Sequence, residues 1–144
     1  MKNSYSKILL KTFFENKKSL TPTRSLIFDT LSKQSKPKSA YELLEDINSK
    51  NSYNLNISTI YRVLEFLINL GLVHKITAIN KFLLCINPHE KHVHILNFCT
   101  KCEKVIESCN KNVELKIRDS TSKLDLIINK KYTLEIPVLC SNCN

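Results

Sequence analysis

Two Cys-x2-Cys pairs, Cys99/Cys102 and Cys140/Cys143, are separated by the 37 residues Glu103–Leu139, and any fold of this chain must reconcile them. Four thiolates at about 2.3 Å from one ion make a closed tetrahedral zinc site that contributes folding free energy directly. Redox pairs with this spacing sit at helix N-termini, and neither pair here opens a helical pattern. The intervening stretch reads as strand, helix and strand, which lets its ends meet. The four cysteines are therefore expected to hold a structural zinc ion.

That reading requires reduced thiols. The N-terminus carries Lys2, Lys7 and Lys11 with only Ile8-Leu9-Leu10 apolar between them, which is not a secretory signal. No apolar run reaches the roughly 18 residues of a membrane span. A cytoplasmic protein is expected, with no membrane partner, and its six cysteines read as metal ligands before disulfides.

Residues 1–86 follow the order of a winged helix-turn-helix. Tyr5, Ile8, Leu9, Thr12 and Phe13 have helical spacing over 3–16. Thr21-Pro22 opens a second helix running to about Ser32, with Ile27, Phe28 and Leu31 buried. Ser39-Ala40-Tyr41-Glu42 is a capping box that starts a third, buried on Leu43, Leu44 and Ile47. The strongest pattern spans Ile57 to Leu70, with Ile60, Val63, Leu64, Leu67 and Leu70 inward and Gly71 placed to stop it. Leu72–Ile76 and Lys81–Ile86 then form a hairpin.

Asn87–Lys91 reads as a hinge. Residues 92–144 follow as a small α/β dimerisation domain, with strands at His92–Phe98, Val105–Ile106 and Leu134–Leu139 and a helix through Val113, Ile117, Ser120 and Leu124. A unit this small needs a metal staple or a partner subunit. The fold class is α+β.

Charge divides the same way. Residues 1–84 hold 13 Lys/Arg against 6 Asp/Glu, while residues 85–144 hold 9 against 7. A basic N-terminal half suits phosphate contact through counterion release. The second helix of a helix-turn-helix enters the major groove, which nominates Ser58, Thr59, Tyr61 and Arg62 for DNA contact. Arg62 can donate two bonds to guanine. Tyr61 is equally suited to core packing. Lys17, Lys18, Arg24 and Lys75 are generic phosphate candidates.

Seven further metal-binding side chains remain: His74, Cys85, His89, His92, His94, Glu107 and Cys109. A hairpin brings His74 and Cys85 together, His92 follows the hinge, and Glu107 lies on a neighbouring strand. Two nitrogens, one thiolate and one carboxylate suit zinc better than iron(II) or manganese. His94 shares a strand face with His92 and stays in play as an alternative or extra ligand. His89 is expected to face solvent and Cys109 to be a small buried residue.

The runs Ser39–Leu44, Ser58–Leu64 and Gly71–Lys75, with both cysteine pairs, resemble the ferric uptake regulator family over nearly the whole chain. The likeness extends to its zinc-uptake branch, whose ligand pattern falls here on His74, Cys85, His92 and Glu107. The iron-sensing branch shows His-His-x-His where this chain has Lys91-His92-Val93-His94. The resemblance implies a non-enzymatic, zinc-responsive repressor with two zinc ions per subunit, binding palindromic double-stranded operators of zinc-uptake genes as a homodimer. It adds Tyr41 as a contact to phosphate or a thymine methyl. No small-molecule substrate is expected, and no third metal site beyond Cys143. The rivals are an iron-, manganese- or peroxide-responsive relative and a constitutive zinc-ribbon nucleic-acid binder.

Overall fold

The computed structural model describes Lys7, Lys11 and residues 20–50, 52–88, 93–129 and 132–144. Lys7 and Lys11 are helical. The rest of the helix expected over 3–16, together with Lys17, Lys18, His89 and His92, lies outside the described residues, as does the hinge beyond Pro88. The described fold is mixed α+β, helices first and sheet last. Its contacts divide the chain into two units, Met1–Pro88 and His89–Asn144.

In the first unit, α1 (Pro22–Ser32) begins where Thr21 accepts a bond from the Arg24 N–H at 3.3 Å, with Pro22 in the first turn. The capping box of α2 (Ala40–Lys50) is reciprocal. The Ser39 N–H donates to Glu42 at 2.7 Å, and the Glu42 N–H donates to the Ser39 hydroxyl at 3.2 Å. The Ser39 backbone bond, the largest influence, holds the Glu42 carboxyl below its usual range. The turn that follows is clamped by Asn48, whose side-chain amide donates to the Leu55 carbonyl and accepts from the Leu55 N–H, both at 3.0 Å. Asn56 then caps α3 (Ile57–Asn69). Neither the clamp nor this cap is anticipated by periodicity, because both depend on polar residues in a loop.

Ile60, Val63, Leu64 and Leu67 of α3 face Ile27, Phe28 and Leu31 of α1 and Ala40, Leu43 and Ile47 of α2 in one cluster. Leu44 and Leu70, expected on the buried stripes, pack at its margin and are only partly buried. Gly71 ends α3 in the left-handed region, at φ +72°. Its N–H reaches Ile68 O at 2.8 Å and the Leu72 N–H reaches Leu67 O at 3.0 Å, the paired bonds of a Schellman stop. The chain turns directly into β1 (Val73–Ile76) and, through a short 3-10 turn and Asn80 at φ +51°, into β2 (Lys81–Leu84). Lys38 adds a bridge to the outer side of this wing by exchanging two backbone bonds with Phe82 at 2.9 and 2.7 Å.

The second unit is a three-stranded sheet in the order β4-β3-β5. The central strand β3 (His94–Cys99) pairs antiparallel with β4 (Val105–Cys109) and parallel with β5 (Thr133–Val138). Helix α4 (Lys111–Ser122), capped by Asn110, provides the crossover that a parallel pair requires. The strands extend the sequence reading: β3 runs on to Cys99, and β4 continues through Glu107 to Cys109.

A β-carbon at Gly71 would meet nothing within 4 Å, so a side chain there is opposed by backbone conformation alone. Gly71→Ala should lower the stability of the helical unit by about 1–2 kcal/mol in urea denaturation followed by circular dichroism.

Candidate metal centres and nucleic-acid interface

Parallel pairing of β3 with β5 places Cys99 opposite Val138, so both Cys-x2-Cys turns leave the same end of the sheet. The first turn is closed by the Glu103 N–H to Cys99 O at 2.9 Å, with Glu103 itself left-handed at φ +60°. The second is closed by the Cys143 N–H to Cys140 O at 2.9 Å, and Lys101 Nζ ties the two turns by donating to Cys143 O at 2.8 Å. All four sulfurs lie within 4.8 Å of one another, and Cys102 Sγ is 3.7 Å from Cys140 Sγ. A regular tetrahedron of sulfurs about 2.3 Å from zinc has edges of about 3.8 Å, so the donor set fits the ion.

The thiols are electrostatically unlike. Backbone N–H groups of Cys140, Cys102 and Lys101 point at Cys99 and pull its thiol down to about 6. Cys143 is pushed up to about 12 by hydrogen bonds with Cys140 and Cys102 and by burial. One thiolate is thus stable in the bare cluster, while further negative charge requires a cation to offset it.

The wing carries two other donors. His74 pairs with Leu83 and so lies on the hairpin face opposite Val73 and Phe82, which join the helical core. The ladder continues through the Cys85 N–H to Leu72 O at 2.9 Å. Both side chains are buried, at 7% and 1% exposure, and their donor atoms lie within 4.8 Å of each other. The sequence-based pairing of His74 with Cys85 is therefore met within the first unit.

In the second unit Glu107 meets His94. His94 Nδ1 and Glu107 Oε1 are 2.6 Å apart, with both side chains at most 10% exposed. His92 is outside the described residues, and of the two strand histidines it is His94 whose contact is described. Cys109 stands opposite His94 in the β3–β4 register, its Sγ 3.7 Å from His94 Nδ1. It is half-buried, not the buried core residue expected from sequence. Burial and the charge of Glu107 push its thiol above the ordinary range. Only strand register discloses this neighbour, and the sequence did not specify it.

The nominated DNA contacts lie on α2 and α3. Tyr41 is 65% exposed at the start of α2, and Ser58 and Arg62 are exposed on α3. The Thr59 hydroxyl donates to the Asn56 cap at 2.9 Å. Tyr61 packs edge-on against Phe82 at 6.5 Å between centroids and stays 38% exposed. Arg24 stacks over Phe66 at 3.7 Å, which gives its cation a fixed seat.

A sequence model described as the ferric uptake regulator family matches residues 15–136. The zinc uptake regulation protein of Escherichia coli (strain K12) is 30% identical over 125 residues, covering 86% of this chain and 72% of that protein. The structure of a zinc uptake regulator complexed with zinc and DNA superposes with a TM-score of 0.89 at 26% identity, covering 99% of this chain and 93% of that one. That of holo XcZur gives 0.84 at 28% identity, covering 98% and 97%.

Between pH 6 and pH 8 Cys99 is the ready thiolate, whereas Cys143 must release a proton to ligate. Zinc affinity at the four-cysteine site should therefore fall as pH falls, by up to about tenfold per pH unit for each proton displaced. Competition with a chromophoric chelator across that range measures it, and a pH-independent affinity would contradict the assignment.

Proposed function

Because the chain belongs to the ferric uptake regulator family, we propose that it is a zinc-responsive transcriptional repressor, binding palindromic operators of zinc-uptake genes as a homodimer. The observation that carries this reading is the buried His74–Cys85 pair, built into the wing of the DNA-reading unit. A thiolate there favours zinc over iron(II) or manganese, which separates this reading from its iron- and manganese-sensing rivals.

The four cysteines hold the structural ion. The regulatory ion is assigned to His74, Cys85, His92 and Glu107, with His94, 2.6 Å from Glu107, as the alternative to His92. Zinc supplies a cation that offsets the thiolate and carboxylate charges and accepts donors from both units. Residues 87–91 between these donors act as the hinge. With both flanks tied to one ion, the segment has little freedom, and the separation of the two reading helices in a dimer is set. Four protein donors leave no open position for a substrate, so the site is regulatory and not catalytic.

For the dimer, Ile106 and Ile136 both pair with Asn97 in register and share its sheet face. They are 56% and 36% exposed, which leaves apolar surface for a second copy. For DNA, the exposed face of α3 offers Arg62 to guanine and Ser58, Thr59 and Tyr61 to neighbouring bases or phosphates, while Tyr41 reaches the backbone from α2. No described helix is long and apolar enough to cross a membrane, and the free thiols suit a reducing, cytoplasmic setting.

Two substitutions separate the parts of this reading. Arg62→Ala should fold, dimerise and bind zinc normally but lose about 1–3 kcal/mol of discrimination at one base pair of each half-site. Cys85→Ser should remain a dimer with its four-cysteine zinc yet lose zinc-responsive operator binding in an anisotropy titration. A zinc response as large as that of the unsubstituted protein would remove the wing from the sensor. Linkage further requires that operator DNA raise zinc affinity by the same factor as zinc raises operator affinity.

A further inference from the structure

His94, Glu107 and Cys109 project from one face of the β3–β4 pair. His94 is directly opposite Cys109, and Glu107, opposite Leu96, is the diagonal neighbour two residues along β4. The three side chains bring an imidazole, a carboxylate and a thiol to one atom, His94 Nδ1, at 2.6 Å for Glu107 and 3.7 Å for Cys109. A tetrahedral zinc with nitrogen at about 2.0–2.1 Å and sulfur at about 2.3 Å spans a nitrogen–sulfur edge of about 3.6 Å, so the His94–Cys109 spacing already fits. The His94–Glu107 contact is shorter than the nitrogen–oxygen edge of about 3.4 Å for the same ion. Release to solvent of the proton shared between Nδ1 and the carboxylate, with rotation of the carboxylate, opens it.

We propose that His94, Glu107 and Cys109 form a loading site for zinc housed wholly within the C-terminal unit, with Cys109 supplying the thiolate. The site rests on the reading of Glu107 and its histidine as part of the regulatory centre, and it deepens that reading by giving the second unit its own sulfur donor. The Cys109 thiol gives its proton to solvent as the sulfur–zinc bond forms, and no oxidant or reductant is involved. Three protein donors leave one coordination position open for a further ligand. The thiolate keeps the site selective against magnesium and manganese while it waits. Cys109 lies outside the regulatory donor set, so its role is in the capture of the ion and not in the final sphere.

The test uses the full chain with zinc in its four-cysteine site and cobalt(II) as the probe, since a thiolate–cobalt bond gives a charge-transfer absorption that imidazole and carboxylate do not. In Cys85→Ser, a second cobalt ion should still bind about 10–100-fold more weakly and show that absorption. In Cys85→Ser combined with Cys109→Ser the absorption should vanish. Cys109→Ser alone should keep the final cobalt affinity and slow the uptake rate. Absence of the sulfur absorption in Cys85→Ser, with circular dichroism and structural zinc unchanged, overturns the proposal. So does its persistence in the double variant.

Operator binding of Cys85→Ser separates this outcome from the sensor reading. Loss of zinc-responsive DNA binding with the absorption retained supports both. An intact zinc response with the absorption retained removes Cys85 from the sensor and leaves the loading site standing.

Discussion

Parallel pairing between β3 and β5 is the constraint on which the second unit depends. A parallel pair cannot be joined by a tight turn, so β4 and α4 are spent on returning the chain to the starting end of β3. That return is what places Cys140 and Cys143 beside Cys99 and Cys102 despite the sequence between them. A sheet of three strands whose helix has no fully buried residue encloses little apolar core. The four-thiolate site lies where such a sheet would otherwise fray, at the shared end of its central and parallel strands. The cluster does not store four negative charges by itself, since one thiol is held low by backbone N–H groups and another is forced high. Metal binding and strand pairing are therefore one equilibrium, and the ion acts as part of the fold.

The first unit is built on a different principle. Its stability comes from three helical faces closing on one apolar cluster, with the recognition helix held at each end by a backbone device, Asn56 at its start and Gly71 after its end. The Asn48–Leu55 clamp fixes the loop that enters α3, and the Lys38–Phe82 bridge fixes the wing against the start of α2. Rigid presentation suits the base reading proposed for α3, because a side chain such as Arg62 would discriminate only if its helix does not move relative to the phosphate contacts. The same hairpin turns His74 and Cys85 to its other face. One element thus closes the core with one face and presents two candidate metal donors on the other, with alternation along a strand keeping them apart.

Most of the helical architecture was legible because it rests on local signals: Thr21-Pro22, the Ser39/Glu42 box, the spacing of Ile60 to Leu67, and Gly71. The four cysteines were legible because their spacing has few other uses in a reduced protein. What the sequence left unspecified follows from a single cause. Whether Cys109 faces the core or His94 depends on the register of β3 against β4, and neither strand's own pattern specifies a register when alternate residues on both faces are partly exposed. The Asn48 clamp and the Lys38 bridge were hidden for a related reason, since both join segments whose proximity exists only after folding.

Register also fixes what surrounds His94. His94 is fixed by the sheet, hydrogen-bonded to a buried carboxylate and opposite a thiol. A donor fixed in the sheet is suited to capture, because its geometry exists before metal arrives and little ordering entropy opposes binding. The proposed capture site therefore draws on a histidine, a carboxylate and a thiol that strand pairing alone has already brought together.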